Sequence, residues 1–187
     1  MSKADLRDLA LARRSLLTET EHRTRSQAAA SCMAGLIRPG EDVALFLPIR
    51  GEIDTGPLIE TVRERHGRVL LPAVEGDAIV FRLYGDGDQL ADGPFKTRQP
   101  DATAPEGAPD LIVAPLAAFD DAGNRIGYGG GYYDGATARL DAAGHRYRFC
   151  GFAFSCQKVD TIPAEPHDRR LDAIVTEDGV TWFKEPA

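Results

Sequence analysis

Val43-Ala44-Leu45-Phe46-Leu47-Pro48, then residues 55–65, then Val69-Leu70-Leu71-Pro72 decide the fold of this chain. The first piece is an apolar run closed by a proline, short and without polar alternation, so it reads as a strand buried on both faces. The second has a helical pattern that Asp54 or Thr55 can cap and Gly67 stops. The third is another short apolar run. A strand, a helix and a strand in that order make a parallel pair joined by a right-handed crossover. The expected architecture is a three-layer α/β/α sandwich around a mostly parallel sheet, Rossmann-like.

Working outward, Ser2 can cap a helix in which Leu6, Leu9, Ala10, Leu16 and Leu17 recur at helical spacing. A second helix is expected over 22–37, ending at Pro39-Gly40. Downstream, residues 78–84 alternate as an edge strand or hairpin arm would. Residues 86–109 are rich in Gly, Pro, Asp and Thr and read as a long surface loop, a kind of segment that is often functional. Residues 111–115 form another buried strand, 132–142 a helix, 148–154 a strand and 173–175 a last core strand.

The 187 residues fit one domain with a sizeable core, and 43% hydrophobic with 27% charged residues is ordinary for a soluble globular protein. A net charge of −7 leaves no basic excess to displace counterions, so no nucleic-acid partner is expected. The apolar runs are too short to cross a bilayer, and the N-terminal residues lack a secretory core, so no membrane partner is expected either. Cys32, Cys150 and Cys156 show no metal-site spacing and leave an odd count, which points to a reduced, cytoplasmic protein. Cys150, Cys156 and Ser155 read as packing residues.

The densest chemical signal is Gly123-Asn124-Arg125-Ile126-Gly127-Tyr128-Gly129-Gly130-Gly131-Tyr132-Tyr133-Asp134-Gly135. Four glycines in five positions leave successive amides unobstructed, and a helix starting near Tyr132 would aim its positive end at the same place. Phosphate binding is the functional reading; a tight turn needing positive φ is the structural one. The string lacks Walker Gly-Lys-Ser/Thr and is not a dinucleotide fingerprint. Lys3 and Arg7 share one face of the first helix, where basic side chains oppose the dipole. Glu52 follows the carboxyl end of a strand, the place where α/β sheets put ligands, though an ordinary loop acid can also sit there. His167-Asp168-Arg169-Arg170-Leu171-Asp172 reads first as a salt-bridged turn. With a nucleotide bound, Asp168 and Asp134 could together position Mg2+.

Taken in order, these segments resemble the 5-formyltetrahydrofolate cyclo-ligase family, also named 5,10-methenyltetrahydrofolate synthetases. The resemblance rests on Lys3 with Leu6-Arg7, Glu52-Ile53-Asp54-Thr55, Asp110-Leu111-Ile112-Val113-Ala114-Pro115 and Phe119-Asp120. It continues through the glycine string, Gln157, Ile162-Pro163-Ala164-Glu165, His167-Asp168 and Leu171-Asp172. It implies ATP- and Mg2+-dependent conversion of 5-formyltetrahydrofolate to 5,10-methenyltetrahydrofolate on a three-layer α/β fold. It further implies that Lys3 and Arg7 reach ATP, while Arg125, Gly127, Tyr128, Gly129, Gly130, Gly131, Tyr132 and Tyr133 wrap its phosphates. Tyr128, Gly129, Gly130, Gly131 and Tyr132 would also border the folate. Asp134 and Asp168 would attend the metal, Leu47 and Glu52 the pterin and formyl end, and Glu52, Arg125 and Tyr132 the chemistry. A monomer is expected, with a weak dimer as the alternative.

Two positions depart from the family pattern. Gln99-Pro100 stands where many relatives carry Glu-Pro, and Gly130 where some carry Lys, so one phosphate-binding charge must come from Arg125 or Lys3. Two other readings stay open at this point: a related ATP-dependent or sugar-phosphate enzyme with another substrate, and a non-catalytic nucleotide or folate binder.

Overall fold

A computed structural model of the chain describes residues 1–165 and 168–184, apart from the side chain of Phe95. The elements run α1 (Lys3–Ser15), α2 (Glu19–Ala34), β1 (Asp42–Ala44), α3 (Gly56–Glu64), β2 (Arg68–Glu75), β3 (Ala78–Leu83), β4 (Leu90–Asp92), β5 (Arg98–Pro100), β6 (Leu111–Ala114), β7 (Ala118–Phe119), β8 (Arg125–Ile126), α4 (Tyr132–Ala142), β9 (Arg148–Phe152), β10 (Ala173–Thr176) and β11 (Gly179–Trp182). Seven strands form the main sheet in the order β11-β10-β9-β6-β1-β2-β3. The five central ones are parallel, and β3 and β11 close the edges antiparallel. Counted among themselves, the parallel strands run 2-1-3-4-5, a doubly wound order whose direction reverses between β1 and β6.

Alternation along these strands builds the two outer layers. Val43, Leu45, Val69, Leu71, Leu111 and Val113 face one side, where Ala29, Ala30 and Met33 of α2 and Leu58 and Val62 of α3 meet them. Ala44, Leu70, Ile112, Phe149 and Ile174 face the other, against Ala136 of α4. Thr55 precedes α3 without a side-chain cap bond; its hydroxyl donates instead to the Phe46 carbonyl, while Asp54 accepts from the Gly56 amide at 2.9 Å. Leu58 and Val62 are fully buried. Each contributes about 1.5–3 kcal/mol, more than a missing cap costs. The three-layer sandwich expected from the sequence is the observed one.

Several boundaries differ. Thr18 and Glu21 form a capping box, so α2 starts at Glu19, ahead of the expected residue 22, and closes at Ala34. The stretch 86–109 is not a structureless loop: β4 and β5 make a hairpin inside it. Its far end is hydrogen-bonded to β3 through Leu83 N to Pro105 O (2.8 Å) and Gly107 N to Phe81 O (2.9 Å). In α1 the buried residues are Leu6, Ala10 and Arg14, whereas Leu9 and Leu16 are exposed. The β7–β8 hairpin and β11 had no signal beyond a few apolar residues. Ser155 is not a packing residue, since its hydroxyl donates to Glu177 at 2.8 Å; Cys150 is buried in the core, as expected.

Candidate active site

The carboxyl ends of β1 and β6 open at the reversal point, and the segments leaving them, 47–52 and 115–135, border a cavity of about 900 Å³. α1 lies across the β7–β8 hairpin through Leu6, Ala10, Ala118 and Ile126 and forms one wall. The cavity gathers Lys3, Arg7, Leu47, Glu52, Arg125, Gly127, Tyr128, Gly129, Gly130, Gly131, Tyr132, Tyr133, Asp134 and Asp168. Every site residue expected from the sequence therefore lines one space, although Lys3 and Asp168 stand 165 positions apart. His167 lies outside the described residues.

At one end the backbone makes the wall. Gly129 has φ +101° and Gly131, the N-cap of α4, has φ +64°, both in the region that side chains resist. At Gly130 a Cβ would stand 2.5 Å from the Tyr132 ring, so a side chain there would require that ring to move. Among the described residues, no amide of 127–131 donates a hydrogen bond within the chain. Residues 127–131 line the cavity, so these amides and the α4 N-terminus are available to a ligand there as a nest of donors. Arg7 Nε donates to the Gly127 carbonyl at 2.9 Å, which anchors the start of the loop.

The charges at this end come in pairs. Arg125, with a side chain only 6% exposed, donates from Nη2 to Asp134 Oδ1 at 2.9 Å and from Nη1 to the Arg169 carbonyl, its guanidinium 4.7 Å from the Phe149 ring. The Arg169 amide donates to the same Asp134 oxygen at 3.1 Å. Lys3 Nζ lies 2.7 Å from Asp168 and 3.5 Å from Glu165. Desolvation pulls the Lys3 pKa down, but the hydrogen bonds and charges of Asp168 and Glu165 outweigh it, and the net direction is up. Asp120, buried behind the hairpin, accepts from Ala122, Asn124 and Ile162 and so locks the loop that carries Arg125.

At the other end side chains make the wall. Glu52 is 5% exposed. Its Oε2 accepts from the Ile49 amide at 2.9 Å, and the Tyr128 hydroxyl lies beside its carboxylate. Burial raises its pKa, against the lowering effect of the Ile49 amide, Tyr128, Arg14 and Arg50. Burial likewise raises Tyr128 and Tyr133, so both phenols stay protonated hydrogen-bond donors. Pro72, Val74 and Ile79 supply an apolar floor, and Thr97 and Arg98 come from the β4–β5 hairpin. Sequence reasoning missed these last residues and Arg14. The apolar floor carries no chemical signature, and the hairpin was hidden in what read as a loop.

A family model described as the 5-formyltetrahydrofolate cyclo-ligase family matches residues 1–177. The chain belongs to that family. It is 33% identical over 172 residues to the 5-formyltetrahydrofolate cyclo-ligase of Escherichia coli K12, with 88% of this chain and 93% of that one covered. It is 30% identical over 185 residues to the cyclo-ligase of Mycolicibacterium smegmatis, covering 94% and 93%. The solved 5,10-methenyltetrahydrofolate synthetase of Aquifex aeolicus superposes with a TM-score of 0.84 at 31% identity, over 100% of this chain and 95% of that one. The Mycoplasma pneumoniae synthetase superposes at 0.77 with 25% identity, over 95% and 99%. The chain is thus an enzyme of a ligase family. No helix among the described residues is long and apolar enough to cross a membrane.

Proposed function

We propose that this chain, acting as one catalytic domain, cyclises 5-formyltetrahydrofolate to 5,10-methenyltetrahydrofolate at the expense of ATP. The reading is carried by the meeting, in one cavity, of an amide-lined loop and a buried carboxylate in a chain of the cyclo-ligase family. The amides of Gly127, Tyr128, Gly129, Gly130 and Gly131 take the triphosphate, with Lys3, Arg7 and Arg125 supplying positive charge. Leu47 and Glu52 receive the pterin and formyl end, bordered by Tyr128, Tyr132 and Tyr133. A monomer in a reducing cytoplasm fits the three free cysteines.

The formamide is a poor electrophile. Its oxygen attacks the γ-phosphorus, the bond from that phosphorus to the β–γ bridging oxygen breaks, and ADP leaves with that electron pair. The N5 lone pair moves into the C–N bond, giving an iminium phosphate. N10 then attacks the same carbon and loses its proton. The C–O bond breaks, phosphate leaves, and the amidinium ring is closed. Because both nitrogens belong to one substrate, holding its conformer removes much of the entropic barrier. Glu52 orients N10 and the formyl group, and Arg125 stabilises charge on the transferring phosphoryl group.

Mg2+ fits the donors present. Such an ion needs one or two carboxylates beside phosphate oxygens and water, and no group of three or more acidic, His or Cys ligands occurs among the described residues. Asp134 Oδ2 makes no hydrogen bond among them, and Asp168 borders the same cavity. Bound there with nucleotide, the ion would neutralise phosphate charge. Purified protein incubated with 5-formyltetrahydrofolate, ATP and Mg2+ should generate the methenyl chromophore. Nucleotide hydrolysis without it, or binding without turnover, would refute the assignment.

A further inference from the structure

Arg14 takes no part in the chemistry above, yet it is 7% exposed on the inward side of α1. At 100° per residue, Lys3, Arg7 and Arg14 fall within about 40° of one another on that helix. Lys3 and Arg7 meet the phosphate end, through Asp168 and Gly127. Arg14, about two turns beyond Arg7, reaches the other end. Its Nη1 donates to the Tyr128 hydroxyl at 2.8 Å and its Nη2 to the Arg50 carbonyl at 2.8 Å.

Those two acceptors belong to the two segments that hold Glu52. The Tyr128 hydroxyl that accepts from Arg14 lies beside the Glu52 carboxylate. The Arg50 carbonyl lies in the turn that presents Glu52, where Arg50 has φ +50° and Gly51 φ +75°. A non-glycine residue in that region needs outside support. The turn is closed by Glu52 N to Ile49 O at 3.0 Å and by Ile49 N to Glu52 Oε2 at 2.9 Å. A buried guanidinium is costly unless its donors are used, and here they are spent on the frame around one carboxylate.

We propose that Arg14 is a positioning residue for the formyl end of the substrate. One planar fork clamps the Arg50–Gly51 turn and the Tyr128 hydroxyl together, and thereby fixes the Glu52 carboxylate in the cavity. Lysine could not do this, because a single ammonium on a flexible stem cannot span two acceptors set by a rigid fork. The kinetic consequence rests on the cyclo-ligase reading; the geometric consequence does not.

Amide hydrogen exchange on the ligand-free protein and steady-state kinetics test the assignment on Arg14→Lys, Arg14→Met and Tyr128→Phe. In Arg14→Lys the Ile49 and Glu52 amides should exchange at least about tenfold faster, since the Ile49 amide reports where the Glu52 side chain lies. Its kcat/KM for 5-formyltetrahydrofolate should fall about tenfold to a hundredfold, the size of a lost charged hydrogen bond, with KM for ATP within twofold. Tyr128→Phe should reproduce the kinetic loss, and the Arg14→Met/Tyr128→Phe double variant should lose less than the product of the single losses. Unchanged exchange in Arg14→Lys, an equal rise in KM for ATP, or strict additivity in the double variant would overturn the proposal. If Arg14→Met does not fold, Arg14→Lys and Tyr128→Phe decide it. If the wild type fails to turn over 5-formyltetrahydrofolate, the reaction assignment falls, and exchange alone judges Arg14.

Discussion

At the end of the cavity proposed for phosphate, five consecutive residues, 127–131, line the wall, and the nearby charges stand in pairs, Lys3 with Asp168 and Arg125 with Asp134. At the formyl end, the wall is assembled from side chains drawn from α1, the turn after β1 and the glycine loop: Arg14, Glu52 and Tyr128. On the proposed reading, the contrast follows the chemistry of the two substrates. A triphosphate there would be met by preorganised backbone dipoles together with the charges of Lys3, Arg7 and Arg125. A neutral formamide offers little to grip, so its orientation would depend on one buried carboxylate, and that carboxylate on a frame.

The largest expected effect lies at the phosphate end. Arg125→Ala should lower kcat by about 10³-fold, the scale of an arginine that stabilises a transferring phosphoryl group. Methenyl formation followed by absorbance gives the readout, and turnover within tenfold of wild type would remove Arg125 from the chemistry. Glu52→Gln should come next, lowering kcat/KM for 5-formyltetrahydrofolate about 10²-fold with little change in KM for ATP. A rise confined to KM for ATP would mean the two ends have been assigned the wrong way round.

The same variant has a stability signature. Burial raises the Glu52 pKa above its ordinary value of 4.5, so between those two pKa values the folded state binds more protons than the unfolded one. The Glu52 contribution is therefore complete below the ordinary value and is lost as pH rises through the folded one. Glu52→Gln, which cannot ionise, should melt above the wild type at pH 8, and the gap in Tm should narrow towards pH 4. A gap that widens on acidification would mean that Glu52 is stabilised as a carboxylate, contrary to its burial.

A backbone substitution sharpens the contrast from the other side. Gly129→Ala places a side chain at φ +101°, which costs about 1–2 kcal/mol of backbone strain. No atom lies closer to that Cβ than Arg7 Nη2, 3.9 Å away, so crowding adds nothing. KM for ATP should rise about tenfold while kcat/KM for the folate, measured at saturating ATP, stays within threefold. Equal damage to both would show that the loop serves the two substrates as one unit.

How much of this could be read from the chain follows the same division. The glycine run is contiguous, so its backbone freedom is visible in five letters, and the unbroken apolar run from Val43 to Leu47 announces a strand buried on both faces. Asp134 and Asp168 were recognisable as acids but not as the partners of Arg125 and Lys3, because Lys3 meets Asp168 only when α1 crosses the β7–β8 hairpin and Arg125 meets Asp134 only across the folded glycine loop. Arg14 was hidden by its neighbour: Arg13 and Arg14 are the same residue type, and only the phase set by Leu6 and Ala10 turns the second one inward. That phase was available, since Lys3, Arg7 and Arg14 share a face. The leucine pattern drew attention to Leu9 and Leu16 instead, which the fold leaves exposed.

Gln99 is the smallest case and the most specific test of what a departure from a family pattern means. If the acid found at this position in many relatives oriented substrate, its loss here would weaken the formyl end. The geometry assigns the side chain another task. Gln99 Oε1 accepts from the Val74 amide at 3.0 Å, pinning the β4–β5 hairpin onto β2, and the cavity is bordered by its neighbours Thr97 and Arg98 instead. A carboxylate oxygen would accept the same bond. Gln99→Glu should therefore change kcat and both KM values by less than about twofold, because nothing that distinguishes an amide from an acid is used. Gln99→Leu leaves the Val74 amide without its acceptor and should cost about 1–3 kcal/mol of stability in chemical denaturation. A Gln99→Glu variant several-fold faster on 5-formyltetrahydrofolate would put the missing charge back into the reaction, and the formyl end would then extend across the hairpin.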